Sequence, residues 1–364
     1  MPFSKHPSLI IRQADPFNAG PPPDLLSRDE ITPADLFFVR NHGNVPALDP
    51  AVYRLRVGGL VARPLELSLE DLRRDFAEHT VAATLQCAGN RRMELLSVRE
   101  IPGEVPWDLE AISHGVWTGV RLSDVLARAG IAAGAAHVAF TGLDEVERRG
   151  RRFGFGASIP LDKALGPEAL LAYEMNGAPL PAIHGAPLRL VVPGYIGARS
   201  VKWLGEIVIQ DAPSDNYFQS VAYRLFPPEA DAATARDEDG RMLGELFTSA
   251  AICAPLTGET RPAGPTVVRG YAVGQGGAAV DRVEVSADDG RTWTEATLLG
   301  EAEPWGWRLW EAEVELRPGL QTLVARAADA AGHGQPAGLA ETWNFKGYMN
   351  NAWHRVAVVG IIKT

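Results

Sequence analysis

The patterning of this chain changes abruptly after Phe226-Pro227-Pro228-Glu229. Upstream, short helix signals alternate with strand signals. Downstream, beyond a polar stretch rich in Ala, Asp and Glu that runs to about Gly240, the helix signals largely vanish. Halves so unlike do not share one layer architecture, and 364 residues exceed the size at which a single core stops growing. The expected organisation is an α+β domain over residues 1–235, its first 32 residues an arm, followed by an all-β domain over residues 236–364.

The local signals fill in both halves. The arm is rich in Pro, Asp and Gly, including Gly20-Pro21-Pro22-Pro23, and reads as an extended segment wrapped on the surface. Tyr53, Leu55 and Val57 alternate with Arg54 and Arg56, the pattern of a half-buried strand. Ser68 caps a short helix running to about Phe76, with Asp71 complementing its positive end. A second helix starts at Ser123 and ends before Gly130, burying Val125, Leu126 and Ala129. Leu170 to Tyr173 and Leu188 to Val192 read as strands, and Asn176-Gly177 as a turn. In the second half, Val267 to Val273, Arg282 to Ser286, Trp310 to Val314 and Thr322 to Ala327 read as strands, with a hairpin signal at Asp289-Gly290. That rhythm predicts a β-sandwich of immunoglobulin type. The last strand, near His354-Arg355, is expected to return to pack on the first domain.

A formal net charge of −10 excludes nucleic acid or an anionic membrane as a general partner. Any anion site must be a local basic pocket. No apolar run is long enough to span a bilayer, and Met1 to Pro7 lacks a basic stretch followed by an apolar core. The expectation is a soluble, cytoplasmic protein. Cys87 and Cys253 stand far apart in sequence and do not look like a disulfide framework.

Four segments carry chemistry. In Leu85-Gln86-Cys87-Ala88-Gly89-Asn90-Arg91-Arg92 a cysteine ends an apolar run, and two arginines follow a small-residue turn. A thiolate is a soft metal ligand, and neighbouring guanidinium groups lower its pKa and favour anions. Phe38-Val39-Arg40-Asn41-His42-Gly43 places a cation, an amide and an imidazole before a glycine. His184-Gly185-Ala186-Pro187-Leu188-Arg189 and Gly194 to Trp203 are glycine-rich and basic. Their glycines allow close backbone approach, and N–H groups with Arg and Lys suit a phosphate.

The cysteine octapeptide resembles the molybdenum-ligand segment of the sulfite oxidase family, and all four segments occur in that family's order. The likeness extends through Leu171 to Gly177 and Asn350 to Arg355, and is nearest to plant-type members, which have no fused haem domain. It implies molybdenum held by molybdopterin and by Cys87. The resemblance assigns Phe38, Val39, Arg40, Asn41, His42, Asp144, His184, Arg189, Ser200, Val201 and Lys202 to the cofactor. It assigns Arg40, Arg92, Trp107 and Tyr223 to the substrate pocket. In one place the chain departs from the family: Asn344-Phe345-Lys346-Gly347 stands where an Asn-Leu-Arg-Gly context supplies an arginine, so Lys346 keeps the charge but loses the planar fork.

The resemblance implies oxidation of sulfite to sulfate, electrons passing to dioxygen or a separate cytochrome, and a homodimer joined through the second domain. Two alternatives stay open. One is oxidoreduction of another oxyanion or a sulfoxide, as in nitrate reductase-like relatives. The other is a non-catalytic molybdopterin-binding protein, which would have no need of Arg92, Trp107 and Tyr223.

Overall fold

The alternation of Leu55 and Val57 with Arg54 and Arg56 forms the strand Leu55–Gly59, the two apolar residues buried and the two arginines exposed. This computed structural model describes residues 4–362. The strand runs parallel to Leu204–Gln210 and antiparallel to Leu65–Leu67, in a sheet completed by His137–Gly142 and Gly156–Pro160. The helix Leu69–Asp75 carries the expected capping box: Ser68 Oγ accepts from Asp71 N at 3.1 Å and Asp71 Oδ2 accepts from Ser68 N at 2.9 Å. The helix Leu122–Ala129 buries Leu122, Val125, Leu126 and Ala129, and stops at Gly130, whose φ of 73° no β-carbon favours. These side chains share one core with Phe140, Leu171, Leu190 and Ile207.

A second sheet positions the site. Glu78–Gln86 pairs antiparallel with Ile112–Arg121, which pairs with Leu170–Met175. Leu170–Met175 turns back at Asn176 and Gly177, both at positive φ as a tight hairpin demands, and also pairs with Arg189–Val191. The end of Glu78–Gln86 delivers Cys87, and Arg189 stands on the short strand beside Leu170–Met175, opposite Ala172.

The arm departs from the expected surface wrap. Ile10–Gln13 and Asn18–Gly20 form a hairpin, and Phe17 through Pro21 are buried. Ala19 and Val39 exchange backbone hydrogen bonds of 3.1 and 2.7 Å. Burial is tolerated because these polar backbone groups are paired. Lys5 is 5% exposed, and its Nζ donates to Ala34 O and Phe37 O at 2.6 and 2.7 Å. Composition marked the arm as irregular; the partner segment around Val39 buries it.

The polar stretch before Gly240 is a loop closing a two-stranded ribbon, Arg224–Leu225 against Arg241–Met242. Beyond it, two sheets face each other. One contains Ser249–Ala254, Gly264–Val273, Arg308–Leu316 and Thr297–Leu298; the other contains Thr260–Pro262, His354–Ile361, Gly319–Asp329, Val280–Ser286 and Thr294–Glu295. Inward side chains of both, among them Ile252, Val268, Trp310, Val283, Leu323 and Val356, make one core. The last strand, His354–Ile361, pairs inside the sandwich, between Thr260–Pro262 and Gly319–Asp329, and touches the first domain through its first residue, His354 Nε2 standing 3.7 Å from Glu94 Oε1. The segment before it makes the closer contacts. Met349 N donates to Ala88 O at 2.7 Å, Asn350 Nδ2 to Arg91 O at 2.9 Å, and Arg91 Nη2 to Ala352 O at 2.8 Å. Both cysteines are free and buried, and no helix among the described residues is long and apolar enough to cross a membrane.

Candidate active site

Cys87 leaves the strand Glu78–Gln86 with its N–H bonded to Ala111 O at 2.9 Å, and its Sγ accepts from Gly89 N at 3.4 Å. The thiol sits in the floor of a cleft whose walls come from three of the other motif segments. Gly197 lets the loop after Gly194 lie close by: a β-carbon there would stand 3.2 Å from Gln86 O. Below the thiol, Phe37, Phe38, Trp107 and Trp117 form an apolar cluster with Cys87.

One side of the cleft is cationic. Lys202 donates to Asn41 Oδ1, and to Ile183 O at 3.2 Å. Burial, then Arg189, holds its pKa well below the usual lysine range. Arg189 is 4% exposed and bonds only backbone carbonyls, those of His184 at 2.9 Å, Ser200 at 3.2 Å and Leu190 at 3.3 Å. Burial pushes its pKa down to about 9. Arg40 donates to Asn41 O and contacts Asn18 Oδ1 at 3.4 Å. Among the described residues none of these three cations forms a salt bridge. Asp144 lines the same cleft and acts on Lys202; its Oδ1 accepts from Phe155 N at 3.0 Å, and burial pushes its own carboxyl upward. His184 lines the same wall, with Nε2 3.1 Å from Lys5 Nζ and 3.2 Å from Ala34 O.

The other side is aromatic. His42 is stacked on Phe155, ring centroids 5.2 Å apart, and its Nε2 lies 2.7 Å from Tyr223 Oη. Burial first, then Arg40, Arg148 and Lys202, drive its pKa well below the ordinary histidine value, so the ring is neutral. Its Nδ1 is buried with no partner among the described residues. Burial raises the Tyr223 pKa and keeps the phenol protonated. Tyr223 stacks on Tyr348 at 5.4 Å, and the Arg92 guanidinium lies 5.2 Å from the Tyr348 ring centroid.

Of the residues singled out from the sequence, Phe38, Arg40, Asn41, His42, Cys87, Asp144, His184, Arg189, Ser200, Lys202 and Tyr223 line one cleft. Val39 and Val201 do not; both are buried, their backbones pairing with Ala19 and Leu190. Arg92 and Trp107 stand behind the wall, 2% and 0% exposed, and Trp107 Nε1 has no acceptor among the described residues. Lys346 is half-buried, its carbonyl accepting from Arg92 Nε at 3.2 Å and its ammonium free of any carboxylate within 4.0 Å among the described residues. Leu85, Phe155, Ala198 and Trp203 also line the cleft, while Lys5 and Tyr348 brace it from behind. Phe155 and Lys5 carry no motif signal, because only the fold brings them here.

Unpaired cations beside a thiol, with a buried orphan imidazole nitrogen, fit an anionic cofactor with a phosphate at one end and a thiolate-bound metal at the other. That donor set on an α+β domain joined to a β-sandwich defines a molybdopterin oxidoreductase. Residues 42–218 match the oxidoreductase molybdopterin binding domain, and residues 241–360 the Mo-co oxidoreductase dimerisation domain. The chain is 46% identical to human mitochondrial sulfite oxidase over 97% of its own length, spanning 66% of that protein. It is 39% identical to the sulfite oxidase of Arabidopsis thaliana, over 97% of this chain and 94% of that one. Its fold superposes with a TM-score of 0.79 and 27% identity on the sulfane dehydrogenase SoxCD of Paracoccus pantotrophus, over 95% of this chain and 87% of that one. The chain belongs to the sulfite oxidase family.

Proposed function

We propose that the protein oxidises sulfite to sulfate at the Cys87 cleft, with water supplying the added oxygen and two protons and two electrons released. One observation carries the reading: Arg40, Arg189 and Lys202, with no carboxylate within 4.0 Å among the described residues, share the cleft with the thiol, while Tyr223, Tyr348 and Arg92 succeed one another away from it. The first suits a cofactor phosphate and the second a small oxyanion. The molybdenum–molybdopterin group, held through Cys87, supplies the oxygen transfer and takes up the electron pair.

The chain's own residues bind, orient and exclude. Lys202, Arg189 and Arg40 hold the phosphate-bearing end, their poor solvation offset once an anion sits among them. Tyr223 stays a phenol, so its hydroxyl donates a hydrogen bond across the physiological pH range. His42, neutral and 2.7 Å away, fixes the position of that hydroxyl through its Nε2. Arg92 presents a guanidinium held by backbone carbonyls, and Trp107 Nε1 is a buried donor ready for an oxygen. The apolar cluster of Phe37, Phe38 and Trp107 keeps water from the thiol's back side. Lys346 adds charge without a fork, which predicts weaker gripping of the oxyanion than an arginine would give.

The second domain is read as the surface that joins two copies, and the electrons as leaving to dioxygen or to a separate cytochrome. The test is sulfite turnover by cofactor-loaded protein with ferricyanide, cytochrome c and dioxygen in parallel, with molybdenum measured on the same sample. Sulfite-dependent reduction of any acceptor is the expected result. A fully loaded protein inert with all three overturns the reading and moves the substrate to another oxyanion or a sulfoxide.

A further inference from the structure

Arg92 threads between two glycines. A β-carbon on Gly89 would lie 2.5 Å from its guanidinium, and one on Gly347, at φ 61°, 2.7 Å from its Cγ. Its Nε donates to Lys346 O and Gly347 O, both at 3.2 Å, and Nη1 to Val105 O at 2.6 Å. Nη2 has no carbonyl. It faces Glu104 Oε2 at 3.6 Å, beyond direct hydrogen-bond reach, and no other carboxylate lies within 4.0 Å of this guanidinium among the described residues. The arginine side chain is 3% exposed and the glutamate 23%. One partner is thus fixed by backbone, while the other sits at the edge of solvent. Gly103, just before Glu104, is exposed and at φ 79°, with nothing within 4 Å of where a β-carbon would stand.

We propose that Glu104 is a specificity-determining residue of the oxyanion subsite: without substrate its carboxylate balances Arg92 Nη2, and an incoming oxyanion binds by displacing it. The inference rests on the reading of Arg92 as a substrate arginine. It explains why a buried arginine keeps one donor edge free of carbonyls, and why the one acid within 4.0 Å of it among the described residues is more exposed than the arginine. It also has a charge signature. A carboxylate close to the bound anion repels a dianion about twice as strongly as a monoanion. Glu104 therefore loosens the hold on sulfate or sulfite more than that on a singly charged oxyanion, and it speeds release of a doubly charged product.

The experiment is binding of inorganic sulfate and of nitrate to the cofactor-loaded protein by calorimetry, for the native chain, Glu104→Gln, Glu104→Asp and Arg92→Gln. Glu104→Gln is expected to tighten sulfate by about three- to tenfold and nitrate by roughly the square root of that factor. Glu104→Asp keeps the native affinities and shows that the charge is responsible. Arg92→Gln weakens both anions. Unchanged sulfate affinity in Glu104→Gln, with Arg92→Gln still impaired, overturns the proposal and leaves the arginine reading intact. Unchanged affinity in Arg92→Gln removes the arginine reading itself, and the proposal with it. Equal tightening of sulfate and nitrate in Glu104→Gln rejects the charge mechanism.

Discussion

In the β-sandwich the cations stand toward solvent beside carboxylates: Arg269 with Glu311 at 3.2 Å, Arg326 with Glu284 at 2.9 Å, Arg355 with Asp289 at 3.1 Å. Around Cys87, Arg189 and Lys202 are enclosed by protein and answered only by carbonyl and amide oxygens. The sandwich core is correspondingly apolar, built on Trp310, Val283, Leu323 and Val356. The contrast separates a region selected for stability from one held in readiness for an anion. Poorly solvated, uncompensated charge is costly to a folded protein, and it is kept where a ligand supplies the missing partner.

The largest expected break in that contrast comes from Cys87→Ser. Turnover should fall to the detection limit while pterin content stays near the native level, because the cationic wall is untouched. Metal and pterin assays on one sample check this, and an active variant removes Cys87 as ligand. Next comes Trp310→Ala, at the centre of the sandwich and fully buried, expected to lower unfolding free energy by roughly 3–5 kcal/mol. Its surviving folded fraction should hold cofactor normally, read from denaturant midpoints alongside cofactor content.

The seam between the two regions gives an acid response. His114, 3.0 Å from Thr84 Oγ1 and beside Trp307, and His354, whose Nδ1 accepts from Ile252 N at 3.0 Å near Glu94, are both pushed down to about 4, chiefly by burial. The unfolded chain takes up protons at the ordinary value of 6.5, whereas the folded protein refuses them until about 4. Stability should therefore fall as pH drops from about 6.5 to 4, by on the order of 2 kcal/mol per histidine. Urea midpoints at pH 7 and 4.5 should lie closer together in His354→Gln than in the native chain, the remaining gap belonging to His114. The smallest effect is expected for Lys202→Met, with the cofactor-free melting temperature unchanged or raised and cofactor retention reduced severalfold. A lowered melting temperature with full retention would mean that Lys202 is structural and that the contrast does not hold there.

How much of this was legible beforehand differs by element. Helix boundaries at Ser68 and Gly130 were readable because caps act within a few residues. The strand at Leu55 was readable because alternation reports the burial of one face. The arm was not, since its burial depends on Val39, some twenty residues on. The course of the final strand was only partly legible for the same reason: nothing local in His354 to Ile361 says which sheet will accept its hydrogen bonds. Of the site, motif residues such as Cys87, His184 and Lys202 stood out by chemical type. Phe155, Lys5 and Tyr348 did not, being an ordinary aromatic, an arm lysine and a tyrosine that matter only by position.

Sequence alone determined the two-part architecture, the thiol at the end of an apolar run and the basic, glycine-rich loops, because periodicity, turn chemistry and side-chain type are local properties. Tertiary structure alone decided that, among the described residues, no carboxylate would lie within 4.0 Å of the cleft's cations and Glu104 would be the one acid that close to Arg92, and that His42 would be neutral against Tyr223. Desolvation and charge pairing depend on what lies across the cleft, and those neighbours come from segments up to 250 or so residues apart in the chain, as with Arg92 and Lys346.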